Sequence, residues 1–385
     1  MNSKALYGYF DYAAATPMLP KAVEAMNPYL SDKFFNASAL YLSAKKNRHT
    51  IDVVRHDIAK GIGAKPLEVV FTAGGTEANN LAIHGVMDKY PDAHIAVSAI
   101  EHDSVLIPAQ KYDHSIIQVD TNGFVSLDAI KRAVKPTTVL ISVMYANNEI
   151  GTIQPIHEIS KYIAEQRKIR KERGNSYPLY FHTDACQATN YLDLQVSRLG
   201  VDLLSINAGK MYGPKQCGAL FVKTGVTISP LLLGGGQEWN LRSGTENLAA
   251  IVAFGVCWEE ARSNYQKEKE RITKIRNDLI YDLLLRVPGV SLNGPKEKKR
   301  IANNVHVSIE GIDNERLLME LDEAGFMVAS GSACNASNDQ ASHVLRAIGL
   351  TDEQARTSIR ITLGKFTDPR AAEVLVDNIL RNIPK

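Results

Sequence analysis

Residues 68–90 read EVVFTAGGTEANNLAIHGVMDKY, and the change of character inside this stretch decides the fold. EVVFTA is short, apolar and β-branched, the pattern of a buried strand. Gly74, Gly75 and Thr76 interrupt it, and EANNLAIHGVMDKY then spaces its apolar residues at helical intervals. The alternation recurs downstream. AHIAVSAI (93–100), TTVLISVMYA (137–146), PLYFHTDA (178–185) and VDLLSINA (201–208) each read as a strand. PIHEISKYIAEQRKIRKERG (155–174) reads as a helix stopped by basic residues and Gly174. Strands and helices in alternation predict an α/β fold, a mostly parallel sheet covered by helices. Ligands bind such sheets beyond the carboxyl ends of the strands.

Past residue 255 the pattern changes. Residues 258–287 read as one long, charged, amphipathic helix whose charges form a solvated face. NNVHVSIEG (303–311) and SIRITLG (358–364), with helices between them, suggest a smaller α+β domain. The expected division is a large domain over 15–255 and a small domain built from 1–14 and 256–385. No repeat or low-complexity segment interrupts the chain.

The composition excludes several classes. Among 385 residues, 44 Lys and Arg oppose 42 Asp and Glu, a net charge of +2. That balance gives no reason to expect direct nucleic-acid binding or a membrane surface. The amino-terminal residues lack a basic start followed by an apolar core, and no run approaches a membrane span, so a cytoplasmic protein is expected. Cys186, Cys217, Cys257 and Cys334 are too few and scattered for a disulfide framework, and no paired spacing suggests a metal site. The first three read as reduced, buried thiols.

Polar residues cluster where the predicted strands end. The Gly74–Gly75–Thr76 turn opens a helix and offers free N–H groups and a hydroxyl to an anion, although many such turns hold glycine for geometry alone. His102 follows one strand, either as a capping ring or as a proton carrier stacked on a flat ligand. Asn147, Asn148 and Gly151 form a polar turn after another, with Asn148 able to bond a ligand oxygen. Asp184 ends an apolar strand with Gln187 close behind; it is a helix cap or the partner of a cation such as a protonated ring nitrogen. Lys210 lies between two strands, either a solvated surface residue or an amine that can form a Schiff base. GGGQEWNLRSGTEN (234–247) is a glycine-rich polar loop but no dinucleotide motif. Cys334 sits among small residues in ASGSACNASN, a setting for an exposed thiol. Arg360 can pair bidentately with a carboxylate.

Taken in order, DYAAATP, FTAGGTEANNLAI, EHDSV, NNEIGTIQPI, HTDACQA, GKMYGPKQCGAL, GGGQEWNLRSGTEN, SGSAC and SIRITLGKFT resemble the cysteine desulfurases of the class V aminotransferase family, the iron–sulfur group I enzymes most closely. The resemblance runs from about residue 11 to 367. It implies a type I fold for pyridoxal 5'-phosphate (PLP), with a seven-stranded, mainly parallel sheet, in a homodimer. It implies that Lys210 holds PLP as a Schiff base, that Asp184 meets the ring nitrogen, Gln187 the ring hydroxyl and His102 the ring face. Gly75 and Thr76 would bind the phosphate, joined by Thr245 of a second subunit and, on this chain, by Asn207. Asn36, Asn148 and Arg360 would hold L-cysteine, with Asn148 also beside the cofactor. Cys334 would take the sulfur as a persulfide, leaving L-alanine, and pass it to an acceptor such as an iron–sulfur scaffold protein. Two departures stand in the cofactor segment: Asn207 and Gly209 replace Ser and His. Glycine there is either a lost donor or a position that needs positive φ. Asn240 also replaces a usual glycine. The rival readings are a selenocysteine lyase or amino-acid epimerase on the same frame, or a non-catalytic assembly partner.

Overall fold

The computed structural model describes residues 6–331 and 341–383. Among them, one sheet contains β1 Val69–Thr72, β2 His94–Ser98, β3 Asp113–Ile117, β4 Thr138–Ser142, β5 Tyr180–Asp184, β6 Leu203–Asn207 and β7 Gly218–Val222. Their spatial order is β1-β7-β6-β5-β4-β2-β3. Strands β2 to β6 run parallel, and β7 runs against both its neighbours. This is the mainly parallel seven-stranded α/β sheet expected from the sequence.

The strands read as unbroken apolar runs because both faces are covered. Successive side chains point to opposite faces. Val69 and Phe71 of β1, and Leu204 and Ile206 of β6, enter one core. Val70 and Leu203, one residue out of step, enter the other. Each such buried side chain contributes about 1.5–3 kcal/mol. β3 is not among the strands that the sequence pattern predicts. That strand is at the sheet edge, its Asp113 is exposed, and DHSII has no apolar run to announce it.

A second, antiparallel sheet holds β8 Val290–Leu292, β9 Asn304–Ile309 and β10 Ser358–Thr362 in the order β10-β9-β8. The amino-terminal segment joins it through bridges from Tyr9 to Met327 and from Asp11 to Thr362. The helix expected over 258–287 is not continuous. It is the end of Leu248–Ser263 followed by Tyr265–Arg286, with Asn264 between them at φ −132° and ψ 23°. Ser and Asn side chains compete for backbone hydrogen bonds, so this pair favours a break over a turn of helix. The first helix is buried through Phe254, Cys257 and Trp258, whereas the second carries most of the charged face.

The glycine-rich loop before the Leu248–Ser263 helix is strained and pinned. Glu238, Trp239 and Asn240 have φ of 47°, 55° and 64°, three non-glycine residues in the left-handed region. Asparagine tolerates that region better than most, so Asn240 can stand in for glycine. Arg55 holds the turn. Its two terminal nitrogens donate to the Glu238 carboxylate at 2.6 Å each, and Glu238 also accepts the Phe71 N–H at 2.8 Å. The guanidinium lies 4.6 Å from the Phe71 ring centre and 4.3 Å from that of Trp239. Arg55 and Glu238 are both buried. Removing one partner leaves a buried charge unopposed, so Arg55→Ala is expected to lower stability by about 3–5 kcal/mol. Chemical denaturation monitored by circular dichroism measures this; an unchanged midpoint would mean that other contacts hold the loop.

Candidate active site

The chain leaves β1 through Gly74, whose φ of 108° only glycine adopts readily, and enters the helix Gly75–Met87. A β-carbon on Gly75 would lie 2.6 Å from the Cys186 sulfur, so no side chain fits there. The helix therefore starts on glycine with the positive end of its dipole at this turn, and Glu77 in the same turn accepts the Ala73 N–H at 2.9 Å. Asn207, at the end of β6, lies against the same turn. Its oxygen accepts the Gly209 N–H at 2.9 Å, and its Nδ2 approaches the Gly75 position. Gly75, Thr76, Asn207, Gly209, Lys210 and Lys215 line one cavity of about 660 Å³.

Lys210 is placed by the amino-terminal segment. Its Nζ donates to the carbonyls of Ala13 at 2.7 Å and Ala14 at 2.6 Å. Gln187 Nε2 donates to the same Ala13 carbonyl at 3.0 Å, which brings the amide beside the amine. The Thr16 hydroxyl fixes the Gly209 carbonyl at 3.0 Å. Sequence reading quoted DYAAATP without a role for it. The carbonyls that seat the lysine belong to alanines, and side-chain chemistry gives no sign of them.

Asp184 ends β5 with a buried carboxylate. Oδ1 accepts the Cys186 N–H at 2.8 Å and Oδ2 accepts Asn79 Nδ2 at 2.7 Å. Both bonds are to amides and neither is to a cation. Its charge is felt around it. Burial holds the Glu101 carboxyl well above its usual range, with Asp184 adding to the shift. Burial and then Asp184 push the Cys186 thiol up, while Lys210 opposes them. His182, also buried, is held down to about 4. His102 caps the helix Asp103–Ala109, so both of its sequence readings survive. Cys217 and Cys257 are buried, as expected, and burial pushes Cys257 up to about 12; Cys186 is only partly covered.

Arg360, on β10, is buried. Nη2 donates to Asp11 at 2.7 Å and Nη1 to the Asn148 carbonyl at 3.4 Å, while Nε has no partner. Two expected residues stand apart. Asn36 is exposed, and its side chain caps its own turn by accepting the Ser38 N–H at 2.9 Å. Thr245 is exposed and lines a different, smaller cavity beside Arg242 and Glu246. Cys334 lies outside the described residues.

A parallel sheet whose strand ends present a buried carboxylate, a lysine amine and an anion cradle is the frame of a type I PLP enzyme. The pattern defining the family aminotransferase class-V matches residues 8–370, and the chain belongs to that family. Cysteine desulfurase IscS of Dictyoglomus turgidum is 44% identical over 384 residues, covering 98% of this chain and 94% of the relative. Cysteine desulfurase IscS of Methanosarcina thermophila is 41% identical, covering 98% and 91%. A solved NifS-like protein superposes with a TM-score of 0.87 at 28% identity, covering 97% of this chain and 98% of the other. A structure described as SspA in complex with cysteine gives 0.79 at 34% identity, covering 94% and 100%.

The protein is a PLP-dependent enzyme, and the residues present fit that cofactor. A buried carboxylate bonded only to amides suits a protonated ring nitrogen. The glycine turn, which admits no β-carbon, suits the phosphate. Gly209 does not lie in the left-handed region, and a β-carbon there would meet nothing closer than the Asn207 oxygen at 3.3 Å. A side chain at 209 thus needs a small shift of that oxygen but no change of φ, so the glycine is not a conformational requirement. Gly209→His is expected to tighten PLP binding by roughly tenfold or more, the worth of one hydrogen bond to a charged group. Titrating cofactor-free protein with PLP measures it; equal affinity in the well-folded variant would show that Asn207 and Lys215 already supply what the phosphate needs.

Proposed function

We propose that this protein is a cysteine desulfurase that converts L-cysteine to L-alanine and carries the sulfur as a persulfide on Cys334. The observation that supports this most is where the Cys334 segment is tied. Ala329 pairs with Arg360 through both backbone bonds, Ala329 N–H to the Arg360 carbonyl at 3.1 Å and the reverse at 2.5 Å. The segment bearing the thiol thus leaves from the residue suited to a substrate carboxylate. It returns at Ser342, whose hydroxyl donates to Glu149 at 2.6 Å, and at His343, which bonds the Glu101 carbonyl at 2.9 Å.

Lys210 would hold PLP covalently, with Asp184 on the ring nitrogen, Gln187 on the ring hydroxyl and His102 on the ring face. Gly75, Thr76 and Asn207 would take the phosphate. When bound, PLP withdraws electrons from the substrate α-carbon, which is the chemistry no side chain supplies. Arg360 binds the carboxylate of L-cysteine, and Asn148 lies beside it. Lys210 and His102 take and return the α-proton. The Cys334 thiolate attacks the substrate sulfur: a sulfur–sulfur bond forms, the bond from sulfur to the β-carbon breaks, and protonation of that carbon gives alanine. Cysteine and one thiol become alanine and one persulfide. An acceptor, an iron–sulfur scaffold protein or a small thiol, then takes the outer sulfur. A cytoplasmic setting, which keeps thiols reduced, suits this carrier. An epimerase on this frame has no use for the thiol.

We also read the protein as a homodimer. Phe34, Leu40, Leu42 and Leu233 are large apolar side chains left exposed, and Asn36 lies in the same segment as the first three. Asn36 and Thr245 could then serve a partner's cavity. The proposed domain division follows the two sheets: residues 15–255 hold the seven strands, and 1–14 with 256–385 hold the other three.

Two measurements test the reading. Holoenzyme given L-cysteine should release alanine and gain one sulfur on Cys334 by peptide mass spectrometry, and Cys334→Ala should keep PLP yet form no persulfide. Sulfur found on Cys186, Cys217 or Cys257 instead would refute the carrier. Arg360→Ala should cost on the order of 2–4 kcal/mol in kcat/KM for cysteine while PLP binding changes little; unaltered kinetics would place the carboxylate elsewhere.

A further inference from the structure

Asn79 lies in the first turns of the Gly75–Met87 helix and is buried, 1% exposed. Its amide nitrogen has two hydrogens and two acceptors: Asp184 Oδ2 at 2.7 Å and Ser104 Oγ at 2.9 Å. The Ser104 hydroxyl lies 2.8 Å from His102 Nδ1 and donates its own hydrogen there, because the backbone N–H of the same serine already makes Nδ1 an acceptor. The Ser104 backbone N–H donates to the same Nδ1 at 3.0 Å. Nδ1 is therefore an acceptor twice over, and the neutral ring carries its hydrogen on Nε2. The orientation of Asn79 is equally fixed. A reversed amide would set its oxygen against the Asp184 carboxylate. In the orientation found, Oδ1 is buried without a partner, a cost that a purely structural asparagine would avoid.

We infer that Asn79 and Ser104 are positioning residues that join His102 to Asp184, holding the imidazole as its Nε2–H tautomer and the Asp184 Oδ2 oxygen in place. The inference rests on the PLP reading for its consequence, because the two residues it joins are the ring-facing base and the partner of the ring nitrogen. Neither Asn79 nor Ser104 is among the residues that line the cavity beside Lys210. Their effect passes through the groups they hold.

The first test needs no cofactor. In cofactor-free protein with ¹⁵N-labelled histidine, the His102 ring, assigned by comparison with His102→Gln, should be the Nε2–H tautomer. Ser104→Ala should give a mixture of tautomers, and Ser104→Thr, which keeps the hydroxyl, should restore the parent spectrum. A parent ring protonated at Nδ1, or a Ser104→Ala spectrum identical to the parent, would overturn the inference. The second test is affinity: Asn79→Ala should bind PLP about tenfold more weakly because Asp184 loses a bond, and equal affinity would overturn its role. The third is kinetic: Ser104→Ala should lower kcat by about tenfold with KM little changed, whereas raised KM at parental kcat would overturn it. Should the parent itself make no alanine from cysteine, the desulfurase reading fails, while the first two measurements still decide the bridge.

Discussion

The site is organised around a carboxylate placed where water cannot reach it. Asp184 ends the central strand β5 and is only 6% exposed, and its two oxygens are bonded to amide hydrogens alone. Amide hydrogen bonds lower the cost of burying the charge but do not neutralise it. The surroundings are arranged to accept that negative charge. Burial and then the Asp184 charge keep Glu101 protonated more readily and Cys186 less acidic, while burial keeps His182 neutral against the pull of that charge. A group with a cationic ring nitrogen is what completes such a place.

The same strand ends supply the other poles. β1, β5 and β6 point the same way, with antiparallel β7 between β1 and β6, so their carboxyl ends meet at one edge, where the chain must leave the sheet. At β1 it leaves through glycines and starts a helix, which makes a positive pole. At β6 it leaves through a short turn that ends at Lys210. An acidic pole and an anion-binding pole thus come from strands three places apart in the sheet, and the amine comes from the turn after β6, which lies between them in strand order. The carbonyls of Ala13 and Ala14 seat that amine from a segment nearly two hundred residues earlier in the chain.

Rigid attachments surround this edge. Arg55 clamps the strained loop 238–240, Arg360 ties β10 to Asp11 and to the Asn148 carbonyl, and Ser342 ties the chain to Glu149. Each is a charge-assisted bond in a buried place, where such bonds are strong. They fix the edges of the site on both sheets, so the chemistry is carried by side chains whose backbone cannot drift.

Much of this was written locally. Strands covered on both faces must be apolar throughout, so β1, β2, β4, β5 and β6 were legible in single runs. Glycine and polar residues at their ends marked Gly75, His102, Asp184 and Lys210 as the places to look. The edge strand β3 was not legible, because a strand with a solvated face needs no apolar run, and the break at Asn264 was hidden inside a continuous amphipathic pattern. The order of the motifs supplied the family, and with it PLP. What the sequence could not contain was convergence. That Asn79 spans Asp184 and Ser104, that alanine carbonyls seat Lys210, and that Arg360 already faces Asp11 depend on segments far apart in the chain meeting in space. Hydrogen bonds act over about 3 Å, so which groups they join is decided only when the sheet and its helices have brought the backbone into place.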